Sequence, residues 1–307
     1  MKQGRPENLA HSIQVQLKNL ATNEKRVYQE LLLRHALERF LHRLSRTPHR
    51  ERFILKGALL LEVWTGLRSR PTRDIDLLGP LGLEPADLLA FVADCALVDV
   101  EPDGWVFDHE TAVVRPIRET ALYSGSRVTF DAHLGKSRVR LQLDVGSGDE
   151  VVPSPSRLVL PVLLDQSAPD PLCYSPYTSI AEKLDAMILL GISNSRMKDY
   201  FDIVYLSKCM EFSGAAVRKA IAACCDRRRT ALSSERPEGL AVEFGQDQQA
   251  RTRWDGFIKK SGLDNHAAAW PETVAACSRF LLAPLLAAAE NREFESHWLP
   301  GGPWVEK

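Results

Sequence analysis

The 307 residues contain no long uninterrupted apolar run, no CxxC pair, no internal repeat and no low-complexity stretch. Without such a run no transmembrane span is expected, since a span takes roughly twenty apolar residues. The opening MKQGRPENLAHSIQVQLKNL lacks the apolar centre of a secretory signal. The chain is therefore expected in the cytoplasm and away from membranes. Six cysteines without CxxC spacing argue against a disulfide framework and a zinc site. Cys224 and Cys225 are adjacent and read as ordinary helix residues. Aspartate is missing from residues 1–73, which hold 15 Lys/Arg and 6 Glu, a charge of +9. The rest of the chain carries 24 Lys/Arg and 34 Asp/Glu, a charge of −10. Such asymmetry suits contact with a polyanion. A solvated helical surface gives the same count.

With 45% hydrophobic and 26% charged residues, the composition is that of a globular chain with one large domain or two ordinary ones. Residues 24–46 read as an amphipathic helix. Leu33, Leu37, Phe40, Leu41 and Leu44 share one face, and His35, Arg39, His42, Arg43 and Arg46 the other. A strand is expected at Phe53 to Leu55, a turn at Lys56-Gly57 and a helix from Ala58 to Trp64. A loop around Gly66 to Thr72 then leads to a strand from Asp74 to Leu78, and a helix starts at about Glu84. WVFD, TAVVRPI, RVTFDAHLG and SRVRLQLDVG are β-type runs. A proline-rich extended connection follows. Helices are expected at 178–190 and 196–210, and further ones near 214–226, 247–260 and 267–290. The pattern predicts an α+β protein. Residues 1–165 form a basic helix and a mixed-sheet core, and residues 166–307 a helical domain.

In RPTRDIDLL, Asp74 and Asp76 stand at i and i+2 of a strand and project to one face. Adjacent carboxylates repel, and a divalent cation relieves the conflict. Mg²⁺ accepts one or two carboxylates and completes its shell with water and substrate phosphates. The structural alternative is that Asp76 caps a turn and Asp74 pairs with Arg73 or Arg70. In SRVRLQLDVG, alternation puts Arg138, Arg140, Gln142 and Asp144 opposite an apolar face. Asp144 is thus the favoured third carboxylate, and Asp131 its competitor.

Two charged groups lie in the second half. In YTSIAEKLDAMILLG, Ile180, Leu184, Met187 and Ile188 form the apolar stripe, and Lys183 stands at its edge. It either snorkels from the core or grips a phosphate. In SRMKDYFDI, Lys198 and Asp202 are at i,i+4, and Arg196, Asp199 and Asp202 at i,i+3, as in an ion-pair ladder.

In order, LKGALLLEVW with RPTRDIDLL, RLQLDVGSGD, AEKLDAMILLG and SRMKDYFDI resemble the AbiEii/AbiGii family of nucleotidyltransferase-like toxins, within the DNA polymerase β-type superfamily. The resemblance runs from about Arg52 to Leu206. It implies a toxin of a bacterial toxin–antitoxin system with an antitoxin partner, NTP as substrate, two Mg²⁺ ions, and the 3′ end of tRNA or another structured RNA as acceptor. It assigns the metal to Asp74, Asp76 and Asp144, and catalysis to these and Lys183. It assigns the nucleotide to Lys56, Gly57, Ala58, Arg70, Thr72, Lys183, Lys198, Asp199 and Asp202. Ala58 replaces a serine common in the superfamily, so phosphate contact there would rest on backbone N–H groups. Given such an acceptor, Arg39, Arg43 and Arg46, with His35 and His42, are the expected RNA contacts. The rivals are a small-molecule or protein acceptor, and a non-catalytic nucleotide-binding protein. A nuclease is disfavoured because no ExK triplet follows an exposed strand aspartate.

Overall fold

A computed structural model describes residues 6–67, 72–120 and 123–306. The chain divides into two compact units. One takes residues 1–63, 71–148 and 156–173, the other 64–70, 149–155 and 174–307.

The first unit opens with α1 (Pro6–Asn23) and α2 (Tyr28–Leu44). Then come β1 (Ile54–Lys56), α3 (Ala58–Thr65), β2 (Ile75–Gly79) and α4 (Pro85–Leu97). Three long strands follow, β3 (Trp105–Thr120), β4 (Tyr123–Leu134) and β5 (Ser137–Ser147), with short β6 (Ser156–Arg157) and β7 (Leu172–Cys173). They make one mixed sheet in the order β3-β4-β5-β2-β1-β7-β6. β2 runs parallel to β5 and β1 parallel to β7, and the other pairs are antiparallel. The architecture is α+β. WVFD and TAVVRPI belong to the single strand β3, whose register shifts between Asp108 and Val113. The first unit extends past residue 165 because β7 pairs with β1.

Alternation fixes the faces. Val128, Phe130 and Ala132 of β4 and Val139, Leu141, Leu143 and Val145 of β5 are buried. α2 and α4 pack on this side, where Phe40 meets Phe91, Phe107 and Phe130. Arg138, Arg140, Gln142 and Asp144 point the other way.

The expected basic face of α2 is corrected. His35, Arg39, His42 and Arg43 are all buried, Arg39 with 2% exposure, and only Arg46 of this group is exposed. The cause is the proline-rich connection, which covers that side. Leu163 N–H donates to Glu38 (3.1 Å), and Asp170 N–H to Ser45 Oγ (3.2 Å). Arg43 is consumed within the fold, donating to Asp103 (2.8 Å) and the Trp105 carbonyl (3.2 Å) over the Phe107 ring. Arg39 and Arg43 are therefore not a surface for RNA.

His35 gives the connection a pH dependence. Trp105 Nε1–H donates to His35 Nδ1 (2.9 Å), so the ring proton is on Nε2 and faces Gln166 Oε1 (2.7 Å). Burial, against the Gln166 hydrogen bond, lowers the imidazole from 6.5 to about 4. The folded state thus binds fewer protons than the unfolded one between those values. Stability should fall as pH drops from 6.5 to 4, by about 3 kcal/mol from this group. Denaturant unfolding of the parent and His35→Gln at pH 7 and pH 4.5 checks this: the parent should lose more stability than the variant. Parallel losses would remove His35 from the account.

The second unit is mainly helical. It contains α5 (Pro176–Leu190), α6 (Met197–Cys209), β8 (Phe212–Ser213), α7 (Gly214–Arg228), α8 (Val242–Gln246), α9 (Gln248–Ser261), α10 (Trp270–Ala289), β9 (His297–Trp298) and β10 (Trp304–Val305). Ser175 caps α5 by accepting from Thr178 N–H (3.2 Å), and Gly191 ends it. By length and composition alone α10 is long and apolar enough to cross a bilayer. Its Trp270, Val274, Cys277, Phe280 and Leu281 are buried within this protein, where Tyr200, Phe244 and Trp254 meet Trp270. Arg228 on α7 ties Asp149, Glu182 and Asp185 together.

Candidate active site

The register of three strands assembles the site. β2 and β5 place Asp76 opposite Asp144, and β1 and β2 place Lys56 opposite Asp76. Asp74 lies two residues before Asp76, just ahead of the strand. One carboxylate oxygen from each of Asp74, Asp76 and Asp144 falls within 4.8 Å of the others, and all three residues are half-buried. This geometry differs from the turn-cap alternative, because the three carboxylates converge. Arg70 lies outside the described residues.

The neighbours complete the arrangement. Thr72 Oγ1 donates toward the Asp74 carbonyl (3.3 Å) and Oδ1 (3.4 Å). Gln142 Nε2 lies 3.3 Å from both Asp74 Oδ2 and Asp144 Oδ2. Arg127, opposite Asp144 on β4, grips it with both arms: Nε to Oδ1 at 2.8 Å and Nη2 to Oδ2 at 2.7 Å. That paired hydrogen bond raises the guanidinium pKa further, with Asp74 and Asp76 adding to the effect. Arg127 and Gln142 carry no signal in a one-dimensional motif, and cross-strand register reveals them. A side chain built at Gly146 would come to 3.7 Å from Lys56 Nζ, so this ammonium lies over β5 on the carboxylate face.

Gly57 is required twice. Its φ is +82°, and a Cβ there would fall 2.1 Å from Asp76 Oδ2. Gly57→Ala should destabilise the fold by about 1–2 kcal/mol through the left-handed backbone. It should also displace the Asp76 carboxylate and slow the reaction by roughly a hundredfold. Thermal melting and a turnover assay separate the two effects, and full turnover would deny Asp76 its place. Ala58 starts α3 and supplies no hydroxyl.

Asp131 is not in the triad. It is buried and salt-bridged to Arg138 (2.7 Å) and Arg140 (3.0 Å). Burial acts to raise its pKa, and the arginines more than cancel this and lower it.

Lys183, Asp199 and Asp202 belong to the second unit. Lys183 Nζ donates to Asp199 Oδ1 (2.9 Å) and Asp202 Oδ2 (2.8 Å), and Arg196 reaches Asp199 Oδ2 (2.8 Å). Burial acts to raise the Asp199 pKa, but Lys183 and Arg196 hold it below its usual value. Lys198 is exposed and does not pair with Asp202 in the expected i,i+4 ladder, because Asp202 turns to Lys183.

Oxygen donors in this number suit a hard dication such as Mg²⁺. Asp74, Asp76 and Asp144 would hold it. A carboxylate cluster on the central strands of a mixed sheet, beside a helix start, fits the class of a nucleotidyl-transfer site.

The family comparison agrees with that class. The family model for the nucleotidyl transferase AbiEii toxin, type IV toxin–antitoxin system, matches residues 39–276. The chain belongs to this family, and membership implies a nucleotide substrate and an antitoxin partner. No curated protein matches it. Two solved structures are similar. JHP933 from Helicobacter pylori is 17% identical, with 86% of this chain and 94% of that one covered and a TM-score of 0.47. A proposed nucleotidyltransferase from Helicobacter pylori is also 17% identical, with 88% of this chain and 100% of that one covered and a TM-score of 0.49.

Proposed function

We propose that this toxin transfers a nucleoside monophosphate from an NTP to an RNA 3′ end, that of tRNA, in a reaction that depends on divalent cations. The observation that carries the reading is the convergence of Asp74, Asp76 and Asp144 on adjacent strands. When bound there, the cations would neutralise the triphosphate and polarise the reacting oxygens. Asp74, Asp76 and Asp144 would hold these cations. Arg127 fixes Asp144 in one rotamer, and Asp144 would take the proton of the acceptor hydroxyl. The acceptor oxygen bonds to the α-phosphorus, the bond to the β-phosphate oxygen breaks, and pyrophosphate leaves. Lys56, on the same face, offsets charge on the triphosphate. Family motifs add Lys183 as a further phosphate cation, with Asp199 and Asp202 orienting it. Modification of tRNA would block aminoacylation and so translation, in the cytoplasm.

The test incubates the protein with each α-labelled NTP and, separately, total tRNA, a panel of small hydroxylated acceptors, and a protein lysate. Label is expected in tRNA. Label in a small molecule or a protein keeps the chemistry and replaces the acceptor, and no label anywhere supports the non-catalytic alternative.

A further inference from the structure

The solvent side of β3, β4 and β5 carries a row of arginines that begins at the carboxylate triad. On β4, Arg127 stands opposite Asp144, Thr129 opposite Gln142, and Asp131 opposite Arg140. Arg115 on β3 stands opposite Arg127. At a rise of about 3.3 Å per residue, Arg140 lies ~13 Å and Arg138 ~20 Å along β5 from Asp144. One strand spacing of about 4.8 Å separates Arg115 from Arg127. These side chains are open to solvent: Arg138 is 65% exposed, Arg127 and Arg140 43% each, and Arg115 is exposed as well. The facing acids are Asp108, Asp131 and Asp144. Arg138 and Arg140 share Asp131, Arg115 makes no ion pair with a described residue, and the four arginines exceed the three facing acids by one charge. If Asp144 serves a cation, Arg127 adds to the excess.

The same face carries no Phe, Tyr or Trp at Val106, Asp108, Val113, Arg115 or Ile117 of β3. None is present at Arg127, Thr129, Asp131 or His133 of β4, or along Arg138 to Gly146 on the open side of β5. Unstacked bases are held by aromatic platforms. Among these described positions the one aromatic ring is that of His133, opposite Arg138, so arginines outnumber stacking rings on this face. Its chemistry is that of backbone recognition, in which arginines meet successive phosphates. At about 3.4 Å per stacked nucleotide, ~20 Å spans about six nucleotides.

We infer that Arg115, Arg138 and Arg140 form the track along which the acceptor RNA backbone lies, with its 3′ end at Asp144. This rests on the proposed transfer to RNA and replaces the α2 stripe as the contact surface. Two variants test it. Arg115→Gln removes an arginine without an ion pair. The triple variant Arg138→Gln, Arg140→Gln, Asp131→Asn removes two arginines together with their shared carboxylate, so no buried charge is stranded. Binding of total tRNA, and of a synthetic RNA hairpin with a single-stranded 3′ end, is measured by anisotropy over a range of salt. The log–log salt slope should flatten by about one unit in each variant, with weaker affinity. NTP affinity should match the parent. Changes in hairpin stem sequence should leave parent affinity unaltered. If the parent labels RNA and both variants bind it with the parent's slope, the track is wrong and the RNA reading stands. If the parent neither binds nor labels RNA, both fail. If the variants lose the antitoxin and keep RNA, the face is a protein interface and the track is overturned.

Discussion

Asp74→Asn and Asp76→Asn are each expected to abolish nucleotidyl transfer while the protein stays folded. The three carboxylate oxygens lie within 4.8 Å of one another, and each substitution removes one negative charge from that cluster. Charge repulsion among them is reduced, so Tm should stay within about 4 °C of the parent. The reaction loses a ligand that acts on charge developing at the triphosphate. A rate loss of about a thousandfold corresponds to about 4 kcal/mol of transition-state stabilisation. Incorporation of α-labelled NMP, measured beside thermal melting, checks both halves. Parent-like incorporation by both variants would leave the triad without a catalytic role.

Lys183→Ala should produce the largest loss of stability. Lys183 is mostly buried, and its ammonium answers two carboxylates, Asp199 and Asp202, with side chains only 2% and 4% exposed. Removing it takes a cation from Asp202 and one of the two cations from Asp199, the other being Arg196, at a cost of about 3 kcal/mol. Tm should fall on the order of 10 °C. Adding Asp202→Asn should recover part of the loss, because it lowers the excess of buried negative charge. NTP affinity of this double variant, measured where it is folded, reports the phosphate role, and we expect it to fall. Recovered stability with parent NTP affinity would confine Lys183 to a structural ion cluster.

Much of the site could be read from the sequence because strand alternation is local. The spacing of Asp74 and Asp76 puts them on one face whatever surrounds the strand, and the alternation in SRVRLQLDVG singles out Asp144. Pairing across strands is not local. Nothing in RVTFDAHLG says that Arg127 meets Asp144, or that Asp131 is consumed by Arg138 and Arg140. The basic face of α2 failed for the same reason. Helical periodicity shows that Arg39 and Arg43 share a side, but not that residues 163–170 return to cover it. The first helix was missed although Ala10, Ile13, Leu17 and Ala21 repeat at helical spacing and are buried. Its polar composition and early position hid a pattern that was present. The helix from Trp270 to Ala289 shows the converse. Its apolar length satisfies a membrane test, and only the packing of Trp270, Phe280 and their neighbours gives that length a place in a protein core.

The most direct test of nucleotidyl transfer follows the label position in the NTP. The parent protein is incubated with tRNA and Mg²⁺, using NTP labelled at the α-phosphate in one sample and at the γ-phosphate in another, and the RNA is then weighed intact. The account predicts α-label at the RNA 3′ end, a mass gain of whole nucleotide residues, released pyrophosphate, and loss of all three on chelation of the metal. Transfer of γ-label, or α-label incorporation that persists with the metal removed, would contradict it.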